Sequence, residues 1–249
     1  MEEYLTFLKD IIFHAGSIAK NQHENIKIYN KGTNDFVTNV DIEINQYIEK
    51  EINENFPSHN IISEENMSEY RYLKNKEFTW IIDPIDGTTN YIHQGLNYTV
   101  SIALCKNNEV IISAVYDPTR EELFHAIKNK GAYLNDKKIE ISKIKSLNNR
   151  LVALSWNSSK QISSEPFVIT GLRNLGCASL EMVYVAAGRI GMVIYERLQP
   201  WDFGAAKLIV EESGGIVKNI EGNNLNLNEK SSVLTASIDM YKELKLIGK

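Results

Sequence analysis

The 249-residue chain has only two cysteines, Cys105 and Cys177, and no CxxC pair. This excludes a disulfide-stapled scaffold and a thiolate zinc site, and it reads as two free buried thiols in a reducing cytoplasm. Five histidines are scattered without an HExxH spacing, which argues against a zinc hydrolase. Neither a Walker A loop, a GxSxG elbow nor a GxGxxG fingerprint occurs. A net charge of −5 offers no basic face for nucleic acid. No apolar run approaches membrane-spanning length, and the acidic start Met1-Glu2-Glu3-Tyr4 is unlike a signal peptide. What remains is an ordinary globular composition, 43% hydrophobic and 24% charged, long enough for a large core.

Hydrophobic spacing then gives the outline. Leu5, Leu8, Ile11, Ile12, Ala15, Ile18 and Ala19 recur at helical intervals, so the chain opens on an amphipathic helix. Lys31-Gly32-Thr33-Asn34 reads as a mobile, turn-rich loop. A second helix is expected from about Asn39, carrying Ile44, Tyr47, Ile48 and Ile52 and ending at Phe56-Pro57. Ile61-Ile62 reads as a short strand, Phe78 to Ile82 as a buried one, and Tyr98 to Leu134 as strands joined by tight turns. The basic stretch Lys143 to Arg150 marks a seam, dividing the chain into halves 1–145 and 146–249. Beyond it strands and helices alternate, with a helix from Trp201 to Glu212 closed by Gly214-Gly215. The pattern is that of an α+β protein.

The chemistry concentrates in Asp83-Pro84-Ile85-Asp86-Gly87-Thr88-Thr89-Asn90. Two carboxylates three residues apart follow a buried strand, and hard divalent cations take oxygen ligands of that kind. Gly87-Thr88-Thr89 opens a new element whose free N–H groups suit a phosphate. Asp41 and Asp202 stand at expected helix starts, where a capping role would equally explain them. Glu64 follows the short strand, where a solvated loop residue is the plain alternative.

Taken in order, Val37 to Asp41, Ser63-Glu64-Glu65, Asp83 to Asn90, Leu175-Gly176-Cys177-Ala178 and Pro200-Trp201-Asp202 with Ala205 to Gly215 resemble the inositol monophosphatase family over residues 5 to 240. The resemblance implies a layered αβαβα sandwich and a Mg²⁺-dependent, lithium-sensitive phosphomonoesterase. It implies that Glu64, Asp83 and the Ile85 carbonyl bind one Mg²⁺ and that Asp83, Asp86 and Asp202 bind a second. Asp41 and Glu64 would reach a weaker third site or its waters. Glu64 and Thr88 would orient the attacking water, and Asp86, Gly87 and Thr88 would meet the substrate's phosphate side. Ala178 would contact the alcohol, and Lys31 would lie in a loop closing near the metals. A cytoplasmic homodimer acting on a small phosphorylated substrate is implied as well, with neither nucleic acid nor membrane as partner.

One segment departs from the family. Tyr195 to Asp202 is one residue shorter than in the animal inositol phosphatases, so Glu196, the nearest match to their inositol-contacting glutamate, falls out of register. Arg197 would instead meet a second anionic group, or stand solvated at the surface. Inositol 1-phosphate is thus the default substrate, with fructose 1,6-bisphosphate and the 2′-phosphate of NADP as alternatives. A catalytically silent scaffold is disfavoured because the ligand set is complete.

Overall fold

The computed structural model describes residues 1–32, 35–66, 77–141, 148–155 and 169–247. Most of the seam, 142–147, lies outside the described residues, as do Thr33 and Asn34 of the expected loop.

Helix α1 (Glu2–Gln22) buries Leu8, Ile11, Ile12, Ala15 and Ala19 along one stripe. A hairpin follows, β1 (Ile28–Gly32) with β2 (Asp35–Thr38), so Lys31 stands on a strand where the sequence suggested a loop. Every residue of β1 is exposed, and no apolar alternation announces it. Helix α2 (Asn39–Asn55) starts at a capping box, with Thr38 as cap and Asp41 as its third residue.

Seven strands then form one sheet. They are β3 (Asn60–Ser63), β4 (Phe78–Asp86), β5 (Thr99–Lys106), β6 (Glu109–Asp117), β7 (Glu122–Ile127), β8 (Gly131–Leu134) and β9 (Lys137–Ile139), in that order across the sheet. Only β3 and β4 run parallel. The short helix α3 (Thr88–Gln94) links β4 to β5.

The second half supplies β10 (Leu151–Leu154), β11 (Gly171–Arg173), α4 (Ala178–Ala186), β12 (Met192–Leu198), α5 (Pro200–Glu212), β13 (Gly215–Lys218), β14 (Ser231–Ser237) and α6 (Ile238–Ile247). Its five strands form a mixed sheet in the order β11-β10-β12-β14-β13.

Strand alternation fixes the layers. Trp80, Ile82, Val100, Ile102 and Leu104 face α1 and α2. Their neighbours Ile81, Ala103 and Cys105 face the other way, onto Leu180, Val183, Phe203 and Ile209 of α4 and α5. Those two helices also cover Ala153, Val193 and Val233 of the second sheet. The outer face of that sheet, Val152, Leu154, Met192 and Leu234, packs on Met240 of α6. The result is the expected αβαβα sandwich, and its central helix layer joins residues from both halves in one core. Strands buried on both faces read as continuous apolar runs, which is why β4 and β5 were visible in sequence. Among the described residues no helix is long and apolar enough to cross a membrane.

Candidate active site

The sequence suggested that a strand stops before Asp83. Instead β4 continues through Asp83-Pro84-Ile85-Asp86. Its parallel partner β3 ends opposite Ile82, so Pro84, which has no N–H, faces no ladder on that side. On the other side, Asp83 pairs with Ser101 and Asp86 with Thr99, three residues spanning two. This is a β-bulge, and it has a chemical consequence. Residues three apart on a regular strand point to opposite faces, whereas the bulge brings both carboxylates to one pocket. Glu64 joins them from the turn after β3.

Gly87 follows with φ +88°, and a Cβ there would stand 3.0 Å from the Asn97 carbonyl oxygen and 3.1 Å from Cys177 Cβ. Only glycine makes that turn without strain. It launches α3, whose first turn has no side-chain cap. The Thr88 hydroxyl lies 3.2 Å from Asp41 Oδ1 and 3.0 Å from the Ile85 carbonyl oxygen. Asn90 Nδ2 donates to the carbonyls of Asn97 (2.9 Å) and Leu175 (2.6 Å), tying the motif to the second half.

Asp41 and Asp202 each do the capping work that their positions suggested. Asp41 Oδ2 accepts the Thr38 N–H at 2.9 Å, and Asp202 Oδ2 accepts the Gln199 N–H at 2.7 Å. Capping uses one oxygen of each carboxylate. Asp41 turns its other oxygen to Thr88, and Asp202 lines the pocket. Capping and a site role therefore coexist in both residues.

The pocket holds about 180 Å³ and is lined by Glu64, Asp83, Ile85, Asp86, Gly87, Thr88 and Asp202, together with Phe36, Thr89 and Gly176. Burial dominates its electrostatics. It pushes Asp41 up to about 6 against the bonds from Thr38. It pushes Glu64 up to about 7, opposed by Lys31, whose Nζ stands 3.5 Å from Glu64 and 2.7 Å from Glu65. Asp83, Asp86 and Asp202 are also raised, by burial first; neighbouring carboxylates add to this for Asp83 and Asp202, and bonds from Ser179 oppose it for Asp86. Asp83 is the most telling, because its Oδ1 is buried and has no hydrogen-bond partner among the described residues.

An all-oxygen donor set with an orphaned carboxylate oxygen suits a hard divalent cation. As the side chains stand, no three His, Cys, Asp or Glu groups among the described residues converge on one point. The carboxylates share a pocket wall, and bringing four like charges closer would cost Coulomb energy without a counter-charge.

The second half reaches the pocket mainly through its loop before α4. Gly176 lines it, and Asp86 Oδ2 accepts the Ser179 N–H at 2.6 Å and the Cys177 thiol at 3.2 Å. Ser179 is a site residue that the sequence did not suggest; it meets Asp86 across 93 positions and no local motif marks it. Ala178 is buried at the start of α4, beside the pocket lining and not in it. Glu196 and Arg197 do not line the pocket either. They sit where β12 loses register with β14, between Tyr195↔Val233 and Leu198↔Ser231, so three residues again span two.

The inositol monophosphatase family model matches residues 1–247. The inositol-1-monophosphatase of Bacillus subtilis (strain 168) is 36% identical over 246 residues, covering 95% of this chain and 92% of that protein. The Nus factor SuhB of Escherichia coli (strain K12) is 37% identical over 222 residues, covering 84% and 82% respectively. Among solved structures, an IMPase of Thermotoga maritima superposes with a TM-score of 0.88 at 29% identity, over 97% of this chain and 95% of that one. The match spans both halves of the fold and every segment that builds the carboxylate pocket, and the chain belongs to the inositol monophosphatase family.

Proposed function

We propose that the chain is a Mg²⁺-dependent phosphomonoesterase that hydrolyses a small-molecule phosphate ester, with inositol 1-phosphate as its substrate. The observation that carries this reading is the unpartnered, buried Asp83 Oδ1 amid Glu64, Asp86 and Asp202, next to the uncapped start of α3. Glu64, Asp83 and the Ile85 carbonyl would hold one cation, and Asp83, Asp86 and Asp202 a second. Bound there, Mg²⁺ supplies a more acidic water and charge stabilisation for the leaving oxygen.

The chain's own residues do the rest. Asp83 would be common to both sets. Gly87 and Thr88 present backbone N–H groups to the phosphate oxygens. The Thr88 hydroxyl, held by Asp41, orients a water for in-line attack, and the Asp41 and Glu64 carboxylates stand ready to take its proton. No side-chain nucleophile is required. Lys31, paired with Glu64 and Glu65, closes the open side.

Residues 1–145 and 146–249 act as one catalytic unit in this reading, since Asp86 of the first is held by Ser179 of the second. A homodimer in the cytoplasm completes it. The choice of inositol 1-phosphate follows the name of the 36%-identical Bacillus relative.

The test is phosphate release from inositol 1-phosphate, fructose 1,6-bisphosphate and NADP, with Mg²⁺ and in excess EDTA. The highest kcat/KM is expected for inositol 1-phosphate, with activity abolished by EDTA. Full activity in EDTA, or no release from any ester, would overturn the reading.

A further inference from the structure

Glu181 is fully buried in the first turn of α4, outside the ring of pocket carboxylates. Both of its oxygens are engaged. Oε1 accepts the Leu175 N–H, and Oε2 accepts the Tyr195 hydroxyl. A carboxylate taken out of water is costly unless such bonds are made, so this arrangement needs an explanation beyond filling space.

The two tethers lead to the loop that lines the pocket at Gly176 and to the strand that carries Glu196 and Arg197. On one side, the Leu175 peptide is gripped twice, its N–H by Glu181 and its carbonyl by Asn90 at 2.6 Å. Gly176, the next residue, takes φ +70° and lines the pocket. Cys177 and Ser179 then hold Asp86. On the other side, Tyr195 is the last residue of β12 in regular register before the bulge at Glu196 and Arg197. Its hydroxyl bond to Glu181 therefore ties that end of the regular ladder to α4.

We infer that Glu181 is a positioning residue for substrate choice: by tying Leu175 to Tyr195 it sets Gly176 and the Glu196-Arg197 bulge at a fixed separation. The inference rests on the phosphomonoesterase reading and deepens it. The phosphate end is gripped by the Asp83 to Thr88 segment, which Glu181 does not touch. Loosening the tether is felt chiefly by the alcohol, through KM, while the phosphoryl step depends on groups that stay in place.

Two esters separate these effects. Inositol 1-phosphate and p-nitrophenyl phosphate share the phosphate and differ in the alcohol. In Glu181→Leu, which keeps the bulk and loses both bonds, the ratio of their kcat/KM values is expected to fall about tenfold or more, mainly through the KM for inositol 1-phosphate. Tyr195→Phe removes one tether and leaves the ring in the core, so a drop of about threefold is expected even if the leucine variant folds poorly. Glu181→Gln should restore most of the ratio, because its carbonyl accepts from Leu175 and its amide donates to the phenol oxygen.

An equal loss on both esters in Glu181→Leu and Tyr195→Phe would reduce Glu181 to a structural residue and overturn the inference. So would an unchanged ratio, or a glutamine variant as impaired as the leucine one. A wild-type protein that hydrolyses neither ester would overturn the phosphomonoesterase reading, and this inference with it. A wild type active on both, with a ratio insensitive to these substitutions, would overturn the inference alone.

Discussion

Two walls of one pocket are built in opposite ways. The Asp83 to Asn90 wall is local: a bulge, an αL glycine and an uncapped helix start follow one another within eight residues. The other wall, the Leu175 to Ser179 loop that reaches the pocket at Gly176, is held by bonds between distant residues: Asn90 to Leu175, Ser179 to Asp86, and Glu181 between Leu175 and Tyr195. The first wall keeps carboxylates away from water at a cost in stability, which a cation would offset. The second contains satisfied polar groups and no comparable orphan. That division explains why the reaction class is plain in this chain and the alcohol is not.

The largest expected effect breaks the first wall alone. Asp83→Asn should lower kcat/KM by about 100- to 10,000-fold, since it removes the ligand proposed for both cation sets. The loss should be the same for inositol 1-phosphate and p-nitrophenyl phosphate. Without Mg²⁺ the variant should melt no lower than wild type, because a buried carboxylate with an unpartnered oxygen has been replaced by a neutral group. Kinetics at saturating Mg²⁺ and a thermal melt in EDTA check both halves of this statement.

Next comes a substitution at the junction of the two walls. In Gly87→Ala the new Cβ meets Asn97 on one side and Cys177 on the other, at a φ that side chains disfavour. A stability loss of about 1–3 kcal/mol is expected, read as a shifted urea midpoint. Turnover of both esters should fall together, in contrast to the selective effect expected at Tyr195.

The smallest effect concerns pH. Asp41 and Glu64 bind protons more tightly folded than unfolded, up to about 6 and about 7 against ordinary values of 3.8 and 4.5. Their contribution to stability is therefore complete below those ordinary values and is lost as pH rises through 6 to 7. A cation favours the charged forms and restores what is lost. The rise in melting temperature produced by Mg²⁺ should be greater at about pH 8 than at about pH 5.5. Equal rises at both pH values would show that these carboxylates do not face the cation.

The same contrast separates what the sequence revealed from what it hid. Helices α1, α2 and α5 and the doubly buried strands β4 and β5 carry strong periodicity or long apolar runs, and so they could be read directly. Strands β1, β9 and β11 are short and largely exposed, and pairing rather than pattern defines them. Asp41, Glu64, Asp83, Asp86 and Asp202 could be picked out because each follows a strand or opens a helix. The bulge through Pro84 could not, because it depends on where β3 stops and how β5 pairs. Ser179 and Glu181 were hidden for a related reason: each acts through a partner brought to it by the fold. Glu196 was the nearest match to a family position, already out of register, and the strand irregularity that it shares with Arg197 is set by pairing with β14, which the sequence does not display.

The central claim is that the Asp83 pocket is a divalent-cation site. Calorimetric titration of Mg²⁺ into the wild-type protein and into Asp83→Asn, at about pH 8, above the values of Asp41 and Glu64, tests it most directly. The account predicts saturable binding to wild type that is lost or weakened by at least about tenfold in the variant. Identical binding isotherms for the two proteins would contradict it.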